Sequence, residues 1–312
     1  MLIKCLLPKS SAFLGRQGKA ISRLLSFTAK RFDKVPQNAR IPWHPERHTC
    51  MLNVASPINI ITGNTIQNAF DNFKFTGYDS PLKLVMANNG HTVTIDLPES
   101  QLKYTGGGMQ DTYIAHHVHF HFSQSNSYGS EHFLDDMRFP MEMHMVHCKS
   151  SCKDIRAART EAAGISVLVF LFRMSRTNNS NLNPIVDKLK EIVKPYSATS
   201  IEMPSIYSIF PHRDLEFYQY AEHFDKPTTH WTVFQKKIHI SESQMNQFRK
   251  LTSVDTVRGT DDNVLLPANN RFVAHLPDLM VYRSSEASYK KRQLKHVVSG
   301  IFRKRTQGMV DL

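Results

Sequence analysis

His116-His117-Val118-His119-Phe120-His121-Phe122 reads at once as a strand and as a binding surface. Along a strand, successive side chains point to opposite faces. His117, His119 and His121 therefore share one face, and Val118, Phe120 and Phe122 share the other, which suits a hydrophobic core. Two histidines at i and i+2 bring two imidazoles within reach of one ion. A second run, Met141-Glu142-Met143-His144-Met145-Val146, puts Glu142 and His144 on a common face. Laid beside the first strand, it would add a third nitrogen. Three neutral imidazoles with an open fourth position form the catalytic type of zinc site. The chain has sixteen histidines, so chance His-x-His pairs arise, and a single buried histidine usually just finds a hydrogen-bond partner. Spacing alone leaves both readings open.

Outward from this stretch, residues 41–283 are mostly short strand-like runs. They include His91–Leu97, Tyr113–Phe122, Glu142–Cys148, Ser166–Arg173 and Trp231–Ile240. Asn88-Asn89-Gly90, Gly106-Gly107-Gly108 and Tyr128-Gly129-Ser130 supply turns between them. The apolar run Ile165–Phe172 has strand length and predicts a buried strand. Two helices are expected. One spans Asn183–Val193, capped by Asn183 with Pro184 at the first helical position. The other spans Ser241–Leu251 and opens Ser-Glu-Ser-Gln. The expected fold is mainly β, a largely antiparallel sheet with peripheral helices. No internal repeat is visible.

The chain has 312 residues, 41% hydrophobic and 21% charged, as in a soluble globular protein. It contains no apolar run of the roughly 18 residues a membrane-spanning helix needs. Its net charge of +12 sits at the ends: residues 1–40 carry +8 and residues 284–312 carry +5, leaving −1 for the rest. A nucleic-acid-binding domain would carry positive charge on its folded face, so no nucleic-acid partner is expected. Cys5, Cys50, Cys148 and Cys152 do not make a disulfide framework for a chain this long. Cys148 and Cys152 are spaced for a bridge or part of a metal site, but two thiols are too few for structural zinc, and free, half-buried thiols are expected.

Residues 1–40 form a basic extension outside the 41–283 domain. Residues 1–32 lack acids and interleave Lys4, Lys9, Arg16, Lys19, Arg23, Lys30 and Arg31 with Ser and apolar residues. This is the composition of an amphipathic mitochondrial transit peptide, with a disordered basic arm as the alternative. The expected location is mitochondrial, in the matrix or at the inner membrane. In residues 284–312, Leu294, Val297, Val298, Ile301 and Phe302 trace one helix face amid Lys and Arg. A basic amphipathic helix suits a membrane surface or an acidic protein partner, or it packs back on its own domain.

From Trp43 to about Arg283 the chain resembles the α-carbonic anhydrases. The resemblance rests on Ser56-Pro57-Ile58-Asn59-Ile60, Asn88-Asn89-Gly90-His91, His117 to Phe122, Gly129-Ser130-Glu131-His132 and Glu142 to His147. Gln247 to Leu251 and Asn270-Arg271 follow as later landmarks. The spacings of 23 residues from His121 to His144, and 13 from Glu131 to His144, are the family's own.

The resemblance implies a central, mostly antiparallel twisted sheet and a zinc ion on His119, His121 and His144. Zinc lowers the pKa of its bound water from ~15.7 to about 7, and the hydroxide attacks CO2 to give bicarbonate. It also implies His117 and Glu142 as partners behind the ligands. His117 stands where the family has glutamine. His91 matches the proton shuttle. Val146, Val167 and Trp231 match the substrate pocket. Glu131 matches the glutamate that holds a threonine hydroxyl against the attacking oxygen.

Here the loop that should carry that threonine, His223 to Trp231, is about four residues shorter than the family's. The position falls on Asp225 aligned from one side, and on Thr228 or Thr229 from the other. An aspartate would add negative charge beside the metal. Two functions follow. The first is a zinc-dependent carbonic anhydrase acting on CO2 and bicarbonate. The second is a weak or inactive carbonic-anhydrase-like structural subunit of a mitochondrial membrane-associated complex, docked through the basic tails.

Overall fold

The computed structural model describes residues 57–98, 101–211, 215–221, 229–253 and 279–284. The early strands are short: β1 (Asn59–Ile60), β2 (Ile66–Asn68), β3 (Lys74–Thr76), β4 (Leu82–Asn88), β5 (Val93–Asp96) and β6 (Lys103–Gly106). The long β7 (Met109–Phe122) follows, then β8 (Phe133–Leu134), β9 (Met141–Lys149) and β10 (Ile165–Ser175). The last are β11 (Ser197–Met203), β12 (Phe217–Ala221), β13 (Thr229–Ser241) and β14 (Tyr282–Ser284).

One 12-stranded sheet runs β11-β4-β5-β7-β9-β10-β13-β12-β14-β2, with β6 pairing β7 and β3 pairing β6 off this path. Its pairings are antiparallel except β10–β13 and β14–β2. The parallel pair β1–β8 stands apart. The fold is mainly β, as the sequence pattern predicts. At the middle of the sheet, β10 is buried from Ser166 to Phe172 on both faces, which is why its sequence reads as one apolar run rather than an alternation.

Alternation along the neighbouring strands sorts their side chains between two faces. On one face, Val118, Phe120 and Phe122 of β7 join Met141, Met143 and Met145 of β9 and Leu168, Phe170 and Phe172 of β10 in the main core. The Phe170 ring lies 4.6 Å from Phe234 and 4.7 Å from Phe210, centroid to centroid. On the other face, a smaller cluster holds Val146, Val167, Val169, Leu171, Val233, Tyr218 and Tyr220. His119 and His121 of β7 and His144 of β9 belong to this second face, whereas His147 of β9 faces the main core, its Nε2 2.7 Å from the Tyr78 hydroxyl.

The helices depart from the sequence expectation. The short α1 (Ile155–Ala158) is capped by the Asp154 side chain, which accepts from the Ala157 N–H. The helix expected over Asn183–Val193 is broken into a 3₁₀ turn (Ser180–Leu182), α2 (Asn183–Val186) and a second 3₁₀ turn (Leu189–Glu191). Asn183 is not its cap. The Asn179 side chain accepts from the Asn181 N–H and starts the winding four residues earlier. Pro184 has no N–H to give the Ser180 carbonyl, so the Asn183 N–H takes that carbonyl and tightens the turn. The second helix, α3 (Glu242–Phe248), has the expected capping box between Ser241 and Gln244, and stops short of Leu251.

β5 starts at Val93, two residues later than the pattern predicts. The Asn89 carboxamide accepts from the N–H of both His91 and Thr92, at 2.9 and 2.8 Å, and holds them in the turn. Gly90 sits at φ +90°, which favours glycine. Cys148 and Cys152 are unbridged and half-buried. Among the described residues no helix is long and apolar enough to cross a membrane. Residues 1–40, the tail from 285 onward, Trp43, Asp225, Thr228, Asn270 and Arg271 lie outside the described residues.

Candidate metal centre

Strand register builds the centre. His119 of β7 pairs directly with His144 of β9, and His121 pairs with Glu142. His144 thus meets His119 straight across and His121 on the diagonal, both within side-chain reach on one face. The three rings gather tightly, with centroids 4.9 Å apart for His119–His144, 4.5 Å for His121–His144 and 5.0 Å for His119–His121. One candidate ligand nitrogen from each lies within 4.8 Å of the others.

Glu142 settles the tautomer of His144. It is fully buried, and burial opposes its charge, but His132 and His144 outweigh that by charge and hydrogen bonding and hold its carboxyl well below the usual range. A carboxylate only accepts. Its Oε2 takes the backbone N–H of Glu131 at 3.0 Å and of His132 at 2.8 Å. Its Oε1 takes the His132 Nδ1–H at 2.6 Å and the His144 Nε2–H. With its proton on Nε2, His144 presents a lone pair at Nδ1. His132, in turn, accepts at Nε2 from the Tyr220 hydroxyl, 2.7 Å away.

His144 Nδ1 lies 3.2 Å from His119 Nε2. A tetrahedral zinc ion with bonds of about 2.0–2.1 Å to nitrogen sets its ligand atoms about 3.3 Å apart. The pair therefore has the edge length of such a site. On the far side of His119, Nδ1 lies 3.1 Å from His117 Nε2. The Glu131 carboxylate is 3.4 Å from His121 Nδ1. The outer nitrogens of His144 and His119 thus each have a hydrogen-bonding partner and that of His121 has a carboxylate close by, an arrangement that lets the inner nitrogens carry lone pairs.

Burial, then the charges of His144, His121 and His117, push His119 well below its ordinary value, and burial pushes His117 down to about 3. Imidazoles kept neutral near pH 7 suit a cation. The donor set fits zinc. His132, Glu142 and His144 also cluster, but their contacts are hydrogen bonds onto one carboxylate and serve the ligand behind it.

The loop over residues 129–140 carries Glu131 and His132 in. Gly129 and Ser130 both donate to the Phe139 carbonyl, at 2.9 and 2.8 Å. Ser130 Oγ donates to the His132 carbonyl and accepts from the Phe139 N–H. Beside the triad, Val146, Val167 and Trp231 align across β9, β10 and β13 in register. The Trp231 ring lies 5.4 Å from His144. His91 is exposed in the turn before β5, whose Thr94 pairs with His119. His116, His132 and Tyr220 have no assigned role in the sequence reading. His132 was within reach, because it closes the Gly-Ser-Glu-His motif.

Residues 36–285 match the family model described as eukaryotic-type carbonic anhydrase. The chain is 31% identical over 245 residues to carbonic anhydrase 4 of Oryctolagus cuniculus, covering 76% of this chain and 78% of the relative. It is 32% identical over 242 residues to carbonic anhydrase 4 of Rattus norvegicus, covering 73% and 78%. It is 27% identical over 280 residues to carbonic anhydrase 6 of Mus musculus, covering 85% and 87%.

Proposed function

The chain belongs to the eukaryotic-type carbonic anhydrase family, zinc-dependent lyases that act on CO2 and bicarbonate, and we propose that it hydrates CO2 reversibly at a zinc ion held by His119, His121 and His144. The carrying observation is the convergence of three imidazoles, with His119 Nε2 and His144 Nδ1 3.2 Å apart, close to the edge length of a tetrahedral zinc site. Zinc held there supplies a Lewis acid that makes hydroxide available near neutral pH.

The other roles belong to the chain's own residues. Glu142 and His117 fix the tautomers of His144 and His119. Val146, Val167 and Trp231 offer an apolar wall for a nonpolar substrate. Glu131, buried beside His121, orients groups around the fourth position. His91, exposed in the turn before β5, passes protons to solvent. The basic, acid-free first 32 residues support mitochondrial delivery, in the matrix or at the inner membrane, which import of the full chain into isolated mitochondria tests.

The test of function is stopped-flow CO2 hydration with zinc content assayed in parallel, beside His144→Ala. The expected result is one zinc per chain and hydration that the variant loses. One zinc per chain without hydration above that of the variant would overturn catalysis, and would favour the structural-subunit reading.

A further inference from the structure

β7 carries one residue more than β9 at the head of the metal strand. Ala115 pairs with His147 and His117 pairs with Val146, so His116 is the extra residue of a bulge against β9. In a regular strand His116 and His117 would point to opposite faces. A bulge breaks that alternation. The two imidazoles meet, with Nδ1 to Nδ1 at 2.8 Å and ring centroids 5.0 Å apart at 81°. A chain of three histidines then leads inward: His116 Nδ1 to His117 Nδ1, and His117 Nε2 to His119 Nδ1 at 3.1 Å.

We propose that His116 is a positioning residue for the metal ligand His119, acting through the tautomer of His117. The inference rests on the zinc reading above. When His119 binds a metal through Nε2, its proton sits on Nδ1 and must be donated outward. His117 can receive it only if its own Nε2 carries a lone pair, and a neutral imidazole then has its proton on Nδ1. That proton points at His116 Nδ1, which must accept it. The opposite polarity sets the His117 Nε2–H against the His119 Nδ1–H, two donors face to face at 3.1 Å. A glutamine at 117 presents its carbonyl by rotating its own amide and needs no third partner. A histidine there does need one, and the bulge at His116 supplies it.

The experiment measures zinc affinity of the full chain by competition with a chromophoric chelator. The variants are His116→Ala, His116→Asn, His117→Gln and the double variant of His116→Ala with His117→Gln. His116→Ala is expected to weaken zinc binding by roughly tenfold, the low end for outer partners of metal ligands. His116→Asn keeps an acceptor oxygen near the Nδ1 position and is expected to restore affinity. In the His117→Gln background, His116→Ala is expected to change nothing. Nitrogen-15 NMR of the zinc-loaded protein is expected to place the His117 proton on Nδ1.

An equal loss in both backgrounds overturns the inference, since it marks a merely structural role. So does a His117 proton on Nε2, failure of asparagine to rescue, or no loss in His116→Ala. A wild type that takes up no zinc overturns this inference together with the reading it rests on. Zinc uptake without hydration overturns only the catalytic reading.

Discussion

Glu142→Gln changes one atom and puts the metal site and the fold in competition. The carboxylate receives four N–H donors, two from imidazoles on Oε1 and two from backbone amides on Oε2. A glutamine has one carbonyl and one NH2, so one pair of donors must face the NH2. Imidazoles can move their protons and backbone amides cannot, so the NH2 turns toward the imidazoles. His144 then keeps a lone pair at Nε2 and carries its proton on Nδ1, the atom that faces His119. For a metal to bind, the amide must flip and leave two buried backbone N–H groups unpaired. Each costs about 1–3 kcal/mol, so binding is weakened by about 2–6 kcal/mol. That is a fall in zinc affinity of at least about thirtyfold at about 1.4 kcal/mol per factor of ten. The assay is chelator competition near neutral pH, with thermal unfolding of the metal-free variant alongside. A variant that folds and binds zinc within threefold of wild type would refute the tautomer argument.

Burial holds His147 down to about 3. Between that value and the ordinary ~6.5, the unfolded chain binds a proton that the folded chain does not, so stability falls as pH falls by about 1.4 kcal/mol per unit from this group. The contribution is complete above pH ~6.5 and levels off below the folded value, and His147→Gln should flatten denaturant-derived stability over that window by this slope. Phe170→Ala empties a stack between Phe210 and Phe234 and should cost about 3–5 kcal/mol in chemical denaturation. Because Phe170 lies on the face away from His119, His121 and His144, zinc stoichiometry should survive, and its loss would contradict the two-face description. Gly129→Ala sets a Cβ 1.7 Å from the Pro140 carbonyl oxygen and should destabilise by about 3 kcal/mol or more, weakening zinc binding as Glu131 and His132 shift. Unchanged stability would show that the loop has slack.

The alternation of His117, His119 and His121 against Val118, Phe120 and Phe122 was legible directly, because a strand's own backbone dictates period two. So was the Ser241–Gln244 capping box, whose partners are three residues apart. Motif order identified the family, and the family model covers the same stretch. Other features were not local. Only the pairing of β7 with β9 sets His119 opposite His144, and that register follows from packing whole faces of the sheet. Only the folded loop over residues 129–140 brings the His132 ring and two backbone amides onto Glu142. In sequence, His116 sits on the wrong face for the site. One extra residue in the β7–β9 ladder turns it toward His117, and a bulge, being a mismatch between two strands, is written in neither strand alone.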